Sequence, residues 1–113
     1  MRVQKPALAL AVAFASLWLA QPSLADPQQF TLTIKDHKFT PSSLTVPADQ
    51  PFDLIVINAD PTIEEFESND FHVEKVILGG KKLTFHIGPL SKGEYGFFGD
   101  YHQDTALGRL FVE

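Results

Sequence analysis

No cysteine occurs anywhere in the 113 residues. That absence excludes a disulfide framework, a thiolate-ligated metal site and a thiol nucleophile, whatever compartment the chain occupies. Positive charge is also short, with nine Lys and Arg against fourteen Asp and Glu and a formal charge of −5. Broad electrostatic attraction to nucleic acid or to anionic lipid is therefore not expected. Hydrophobic sequence is interrupted early: the apolar run Ala7 to Ala20 (ALALAVAFASLWLA) is fourteen residues long, below the ~20 needed to span a bilayer as a helix. The chain is thus not expected to be membrane-embedded.

What is present begins with a start segment of a different kind from the rest. Arg2 and Lys5 precede the apolar run, and Ser23-Leu24-Ala25 places small residues at −3 and −1 of a cut after Ala25. Basic start, apolar middle and small-residue exit are the three parts of an export signal. Residues 1–25 are expected to be a cleaved signal peptide and residues 26–113 a single exported domain. Removing Arg2 and Lys5 leaves seven basic side chains against all fourteen acids, so the mature charge is expected to be −7.

Within residues 26–113 the apolar pattern has period two. Phe30, Leu32 and Ile34 alternate with Thr31, Thr33 and Lys35, the pattern of a strand with one buried face. Turn chemistry recurs about every ten residues at Pro41-Ser42-Ser43, Pro47 to Pro51, Asn58 to Pro61, Gly79-Gly80 and Gly88-Pro89, which is the rhythm of an all-β sandwich. Strands are predicted at Leu44–Val46, Phe52–Ile57, Leu83–Ile87, Tyr95–Phe98 and Leu110–Val112. Phe52 to Ile57 (FDLIVI) is apolar at consecutive positions and is predicted to lie mid-sheet, covered on both faces. Asp60 to Lys75 reads as the least regular stretch, and Asp104 to Leu107 as a turn or one helical turn.

Charge gathers in that irregular stretch. Glu64, Glu65, Glu67, Asp70 and Glu74 lie within eleven residues, with Lys75 the one basic residue among them. Like charges so close either splay into water or surround a cation. Phe66, set among the acids, is expected to enter the core and fix the backbone beside them. Alternation also puts Glu65 and Glu67 on one face and Glu64 on the other. A second cluster, Gly99-Asp100-Tyr101-His102-Gln103-Asp104, brings an imidazole and further carboxylates into a loop after the YGFF strand. His86 is expected to point outward, His37 and His72 to be solvated, and Tyr95 to sit at a core corner, while Tyr101 is placed as an electron relay.

From Phe30 to Glu113 the chain resembles the cupredoxins, small copper proteins built as a Greek-key β-sandwich. The resemblance rests on Gly93-Glu94-Tyr95-Gly96-Phe97-Phe98-Gly99-Asp100-Tyr101-His102, followed by Leu107-Gly108. It places Gly99 where the family has its Cys ligand, Leu107 where it has Met, and Glu64 where the first His stands, so that His102 alone survives. A blue copper centre needs a thiolate and two imidazoles, and none is expected here.

With Glu-Glu-Phe-Glu-Ser and Phe-Phe-Gly-Asp-x-His, the chain is similar to thiolate-free cupredoxin-like proteins of bacterial periplasmic ferrous iron uptake. That resemblance implies a periplasmic protein that binds iron, with ferrous oxidation as a further implied activity. The implied partners are a periplasmic iron-binding protein and a membrane iron permease. Glu64, Glu65, Glu67, Asp100 and His102 are the candidate metal residues, with Glu64, Glu67, Asp100 and His102 expected to converge. Carboxylates with one imidazole suit iron, manganese, zinc or copper(II) and disfavour copper(I). Copper(II) binding for resistance or delivery, and a metal-free sandwich acting as an interaction module, remain open beside it.

Overall fold

The computed structural model describes residues 2–4 and 26–113. The predicted cleavage site and the body of the export segment lie outside the described residues. Among the described residues, nine strands form two mixed sheets packed face to face. The first sheet has the order β2 (Lys38–Thr40), β1 (Gln28–Lys35), β4 (Phe52–Asn58), β7 (Lys82–Ile87). The second runs β3 (Ser43–Val46), β9 (Leu107–Val112), β8 (Gly93–Gly99), β5 (Glu64–Ser68), β6 (Val73–Ile77). β1 runs parallel to β4, and β3 runs parallel to β9; the other pairings are antiparallel. This is the predicted cupredoxin-type β-sandwich. Among the described residues, no helix is long and apolar enough to cross a membrane.

The alternation read from the sequence decides what enters the core. Leu32 and Ile34 of β1, Leu54 and Val56 of β4, and Phe85 and Ile87 of β7 face inward from the first sheet. Phe66, Ile77, Phe97, Leu110 and Val112 meet them from the second. An aromatic cluster closes the end of the core nearest the β1–β2 turn. There Phe39 lies edge-on to Phe97 at 5.0 Å between centroids, and Phe66 packs 5.6 Å from Phe97. Edge-to-face contacts of this kind add to the gain from burial itself, about 2–3 kcal/mol for each fully buried Phe. Gly108 belongs to this packing, because a Cβ there would lie 2.1 Å from the Phe97 ring.

Two expectations are corrected. β4 does lie mid-sheet, but only Phe52, Leu54, Val56 and Asn58 are buried, while Asp53, Ile55 and Ile57 are half-exposed on a face that no other layer among the described residues covers. Asp60 to Lys75 is not irregular: it contains β5 and the start of β6. The acids obscured the period-two signal, because in β5 a carboxylate occupies an inward position. Asp104 to Leu107 opens in the expected turn and enters β9 at Leu107, and a 3₁₀ turn precedes it at Asp100–His102.

Candidate metal centre

β5 carries three acids on five residues, and the pleat separates them. Glu64, Phe66 and Ser68 point inward; Glu65 and Glu67 point outward. Phe66, fully buried, anchors the strand. β5 is held to β8 by only two register pairs, Phe66 with Gly99 and Glu67 with Phe98. Beyond them side chains replace the ladder: Ser68 Oγ donates to the Gly96 carbonyl at 2.7 Å, and Gly96 N donates to Asp70 Oδ2 at 2.6 Å. The 3₁₀ turn then lays Asp100 and His102 alongside β5.

The five candidate residues therefore form two groups, not one. On the outer face, Glu65, Glu67 and Asp100 each offer a carboxylate oxygen, all within 4.8 Å of one another. Glu74 faces Glu67 across the β5–β6 register and adds to the repulsion. Partial burial, followed by the Glu74, Asp100 and Glu67 charges, pushes the Glu65 carboxyl above the usual glutamate range; partial burial, Glu74 and Asp100 do the same to Glu67. Desolvation and the Glu65 carboxylate likewise raise the Tyr101 phenol. This is where a cation would relieve the most repulsion.

On the inner face, Glu64 is 1% exposed and lies against His102. Its Oε1 accepts from Tyr101 N at 2.9 Å and from Glu65 N at 3.1 Å, and its Oε2 faces His102 Nδ1. Contact with a carboxylate oxygen suits an N–H on Nδ1. The expected convergence of Glu64 and His102 with Glu67 and Asp100 does not occur, because Glu64 and Glu67, three residues apart on one strand, point to opposite faces.

The geometry explains the lost copper ligands. A Cβ built on Gly99 would lie 2.6 Å from the Glu64 carboxyl carbon and 2.8 Å from Ala106 Cβ. The Glu64 carboxylate thus fills the space that a side chain at position 99 would enter. Leu107, matched to the family's Met by spacing, is 56% exposed on the outer face opposite Phe98. The inward neighbour is Ala106, fully buried. Methionine occurs only at Met1. Neither sulfur ligand nor room for one exists, and the residues present do not fit a blue copper ion.

One residue of the site escaped the sequence reading. His37 is not solvated: its ring stacks on His102 with centroids 3.5 Å apart and planes 12° from parallel. It sits in the β1–β2 turn, where Asp36 and His37 have φ of 52° and 57°. That left-handed turn is clamped by buried Asp60, whose Oδ1 accepts from Asp36 N at 2.8 Å and whose Oδ2 accepts from His37 N at 3.0 Å. Burial alone would raise the Asp60 carboxyl, but those two N–H groups and the nearby His37 and Lys35 charges outweigh it and hold it below the usual range. The available signal was Asp36-His37 at a hairpin turn, a pair tolerant of the left-handed conformation. His86 and His72 are exposed as expected, His86 against Asp53 at 2.7 Å. Tyr95 is the expected corner residue, half-buried with its hydroxyl donating to the Ser91 carbonyl at 2.8 Å.

Comparison with known proteins agrees with this architecture. Auracyanin A, a "blue" copper protein of Chloroflexus aurantiacus, superposes with a TM-score of 0.68 at 14% identity, covering 78% of this chain and all of that one. The metal-binding domain of the Cu(I)-exporting P-type ATPase CopA of Streptococcus pneumoniae D39 gives 0.68 at 13% identity, over 75% of this chain and 84% of that one. At such identities the likeness is one of fold. An uncharacterized protein of Rickettsia prowazekii (strain Madrid E) is 49% identical over 81 residues, covering 72% of this chain and 65% of that protein. The chain therefore spans just under two thirds of that relative's length. The family profile described as the cupredoxin-like domain matches residues 6–112, and with the two-sheet sandwich in place the chain belongs to the cupredoxin-like domain family.

Proposed function

We propose that the chain is exported to the periplasm, loses residues 1–25, and binds iron for transfer to a membrane permease. The observation that carries this reading is the outer trio Glu65, Glu67 and Asp100, three carboxylates within 4.8 Å of one another in a cupredoxin-like domain without sulfur at its metal end. Oxygen ligands of this charge suit hard cations. They stabilise Fe(III) over Fe(II), since the higher charge gains more from the anions, so bound Fe(II) becomes the easier ion to oxidise. The excess of acids over bases in residues 26–113 also raises the local concentration of cations.

Anaerobic titration of the purified protein with Fe(II), followed by exposure to dioxygen, tests the reading. The expected result is one iron retained per chain and oxidation faster than in buffer. Glu67→Ala and Asp100→Ala should each release iron. If Fe(II) stays in solution and oxidises at the buffer rate, iron is not the cargo. Elemental analysis of the protein produced with its export segment checks the same point in cells.

A further inference from the structure

We infer that buried Glu64 is the positioning residue of the outer trio: its carboxylate ties the 3₁₀ turn Asp100–His102 to β5 and so sets Asp100 against Glu65 and Glu67. The inference rests on the reading of that trio as the iron site. It concerns a side chain that points inward, away from the trio.

The need for such a tie follows from the backbone. β5 and β8 pair at Glu67 with Phe98 and at Phe66 with Gly99. The same register, carried on, would set Glu65 opposite Asp100 and Glu64 opposite Tyr101, but there the chain leaves β8 for the 3₁₀ turn and the ladder stops. The turn is closed on itself and on the approach to β9. Thr105 N and Ala106 N donate to the His102 carbonyl at 3.1 and 2.8 Å, and Gly99 N donates to the Ala106 carbonyl at 2.8 Å. None of these three bonds reaches β5.

Glu64 supplies the bonds that do. Its Oε1 accepts from Tyr101 N at 2.9 Å and from Glu65 N at 3.1 Å, so one oxygen joins the residue after Asp100 to the backbone of a trio member. Its Oε2 faces Nδ1 of His102, whose ring stacks on His37. Hydrogen bonds to an ionised group are stronger than neutral ones, and breaking them in the interior leaves a charge without solvation. At 1% exposure, Glu64 has no water to replace these partners.

Gly99 completes the arrangement. A Cβ there would lie 2.6 Å from the Glu64 carboxyl carbon and 2.9 Å from Oε1, so the carboxylate keeps its place only beside a residue without a side chain. Groups behind a metal ligand orient it, and their loss typically lowers metal affinity about 10–100-fold. Glu64 acts in this way on Glu65 through its own amide, and on Asp100 through the amide of Tyr101.

Anaerobic Fe(II) titration, together with amide hydrogen exchange of the ion-free protein, tests the inference. Glu64→Met removes both acceptors at similar volume, whereas Glu64→Gln removes the charge and keeps Oε1 as an acceptor. In Glu64→Met the Tyr101 amide should exchange about tenfold faster or more while the β1 and β4 amides stay as in the parent, and Fe(II) affinity should fall about tenfold or more. Glu64→Gln should restore slow exchange and most of the affinity. Gly99→Ala crowds the carboxylate and alters no trio residue; it should behave as Glu64→Met does, and it replaces that variant if the latter does not fold. Parental Fe(II) affinity in a folded Glu64→Met would overturn the inference, as would an equal loss in Glu64→Gln, which would reduce the role of Glu64 to its charge. If the parent itself takes up no Fe(II), the iron reading fails, and exchange at Tyr101 still decides whether Glu64 holds the turn.

Discussion

Glu67 illustrates how a side chain can work against the fold that carries it. Its carboxyl is held above the usual range by partial burial and by Glu74 and Asp100, so the folded chain binds protons more tightly there than the unfolded chain. The stability of the ion-free protein should therefore fall as pH rises upward from the ordinary glutamate value. Glu67→Gln should raise the ion-free Tm and lower affinity for iron, read together by thermal melts and titration. Gly99 gives the opposite case. Gly99→Ala forces a methyl against Glu64 and should cost about 1–3 kcal/mol in urea unfolding. Gly99→Cys should give no intense thiolate-to-copper absorption with Cu(II), because Glu64 holds the space the ligand needs. The resemblance matched Gly99 to the family's cysteine position; only the packing shows the Glu64 carboxylate in the space a side chain there would enter.

Among elements, β5 and the β1–β2 turn matter most. Phe66 anchors β5 beside the outer acids, and Phe66→Ala should cost about 3–5 kcal/mol and weaken iron binding at the outer trio. The turn depends on Asn58 and Asp60. Asn58→Ala leaves buried backbone groups unpaired and should cost roughly 2–3 kcal/mol. Asp60, with its carboxyl held below the usual range, stabilises the fold above the ordinary aspartate pKa; that contribution disappears as pH falls through its lowered value. Urea midpoints measured across the acid range should drop less steeply in Asp60→Asn than in the parent. Strands β1, β3, β4, β7, β8 and β9 were legible because alternation or apolar runs marked them. β2, β5 and β6 were not: β2 is three residues long and buries only Phe39, Glu64 and Ser68 occupy inward positions of β5 where a period-two reading expects apolar residues, and β6 buries only Ile77.

For the molecule as a whole, ion binding and folding are linked. An ion that binds only the folded chain adds about 2.7 kcal/mol when free ion is at 100 times Kd, a rise in Tm on the order of 10 °C for a domain of this size. Chelator should reverse the shift, and thermal melts with and without it measure the effect. Mass spectrometry of the exported product should give a chain beginning at Asp26; a mass retaining residues 1–25 would contradict the predicted cut.

The sequence by itself determined the sandwich, because alternation of apolar residues between regular turns leaves few other ways to bury Phe, Leu and Ile. It also determined that blue copper chemistry is absent, since that needs atoms the chain does not have. Only the tertiary structure decided how the candidate ligands divide. Whether Glu64 meets Glu67 depends on the pleat of one strand, and whether His37 meets His102 depends on two turns 65 residues apart in sequence being folded to the same end. A linear pattern records residue types and local period, whereas coordination depends on distances between side chains that only packing sets.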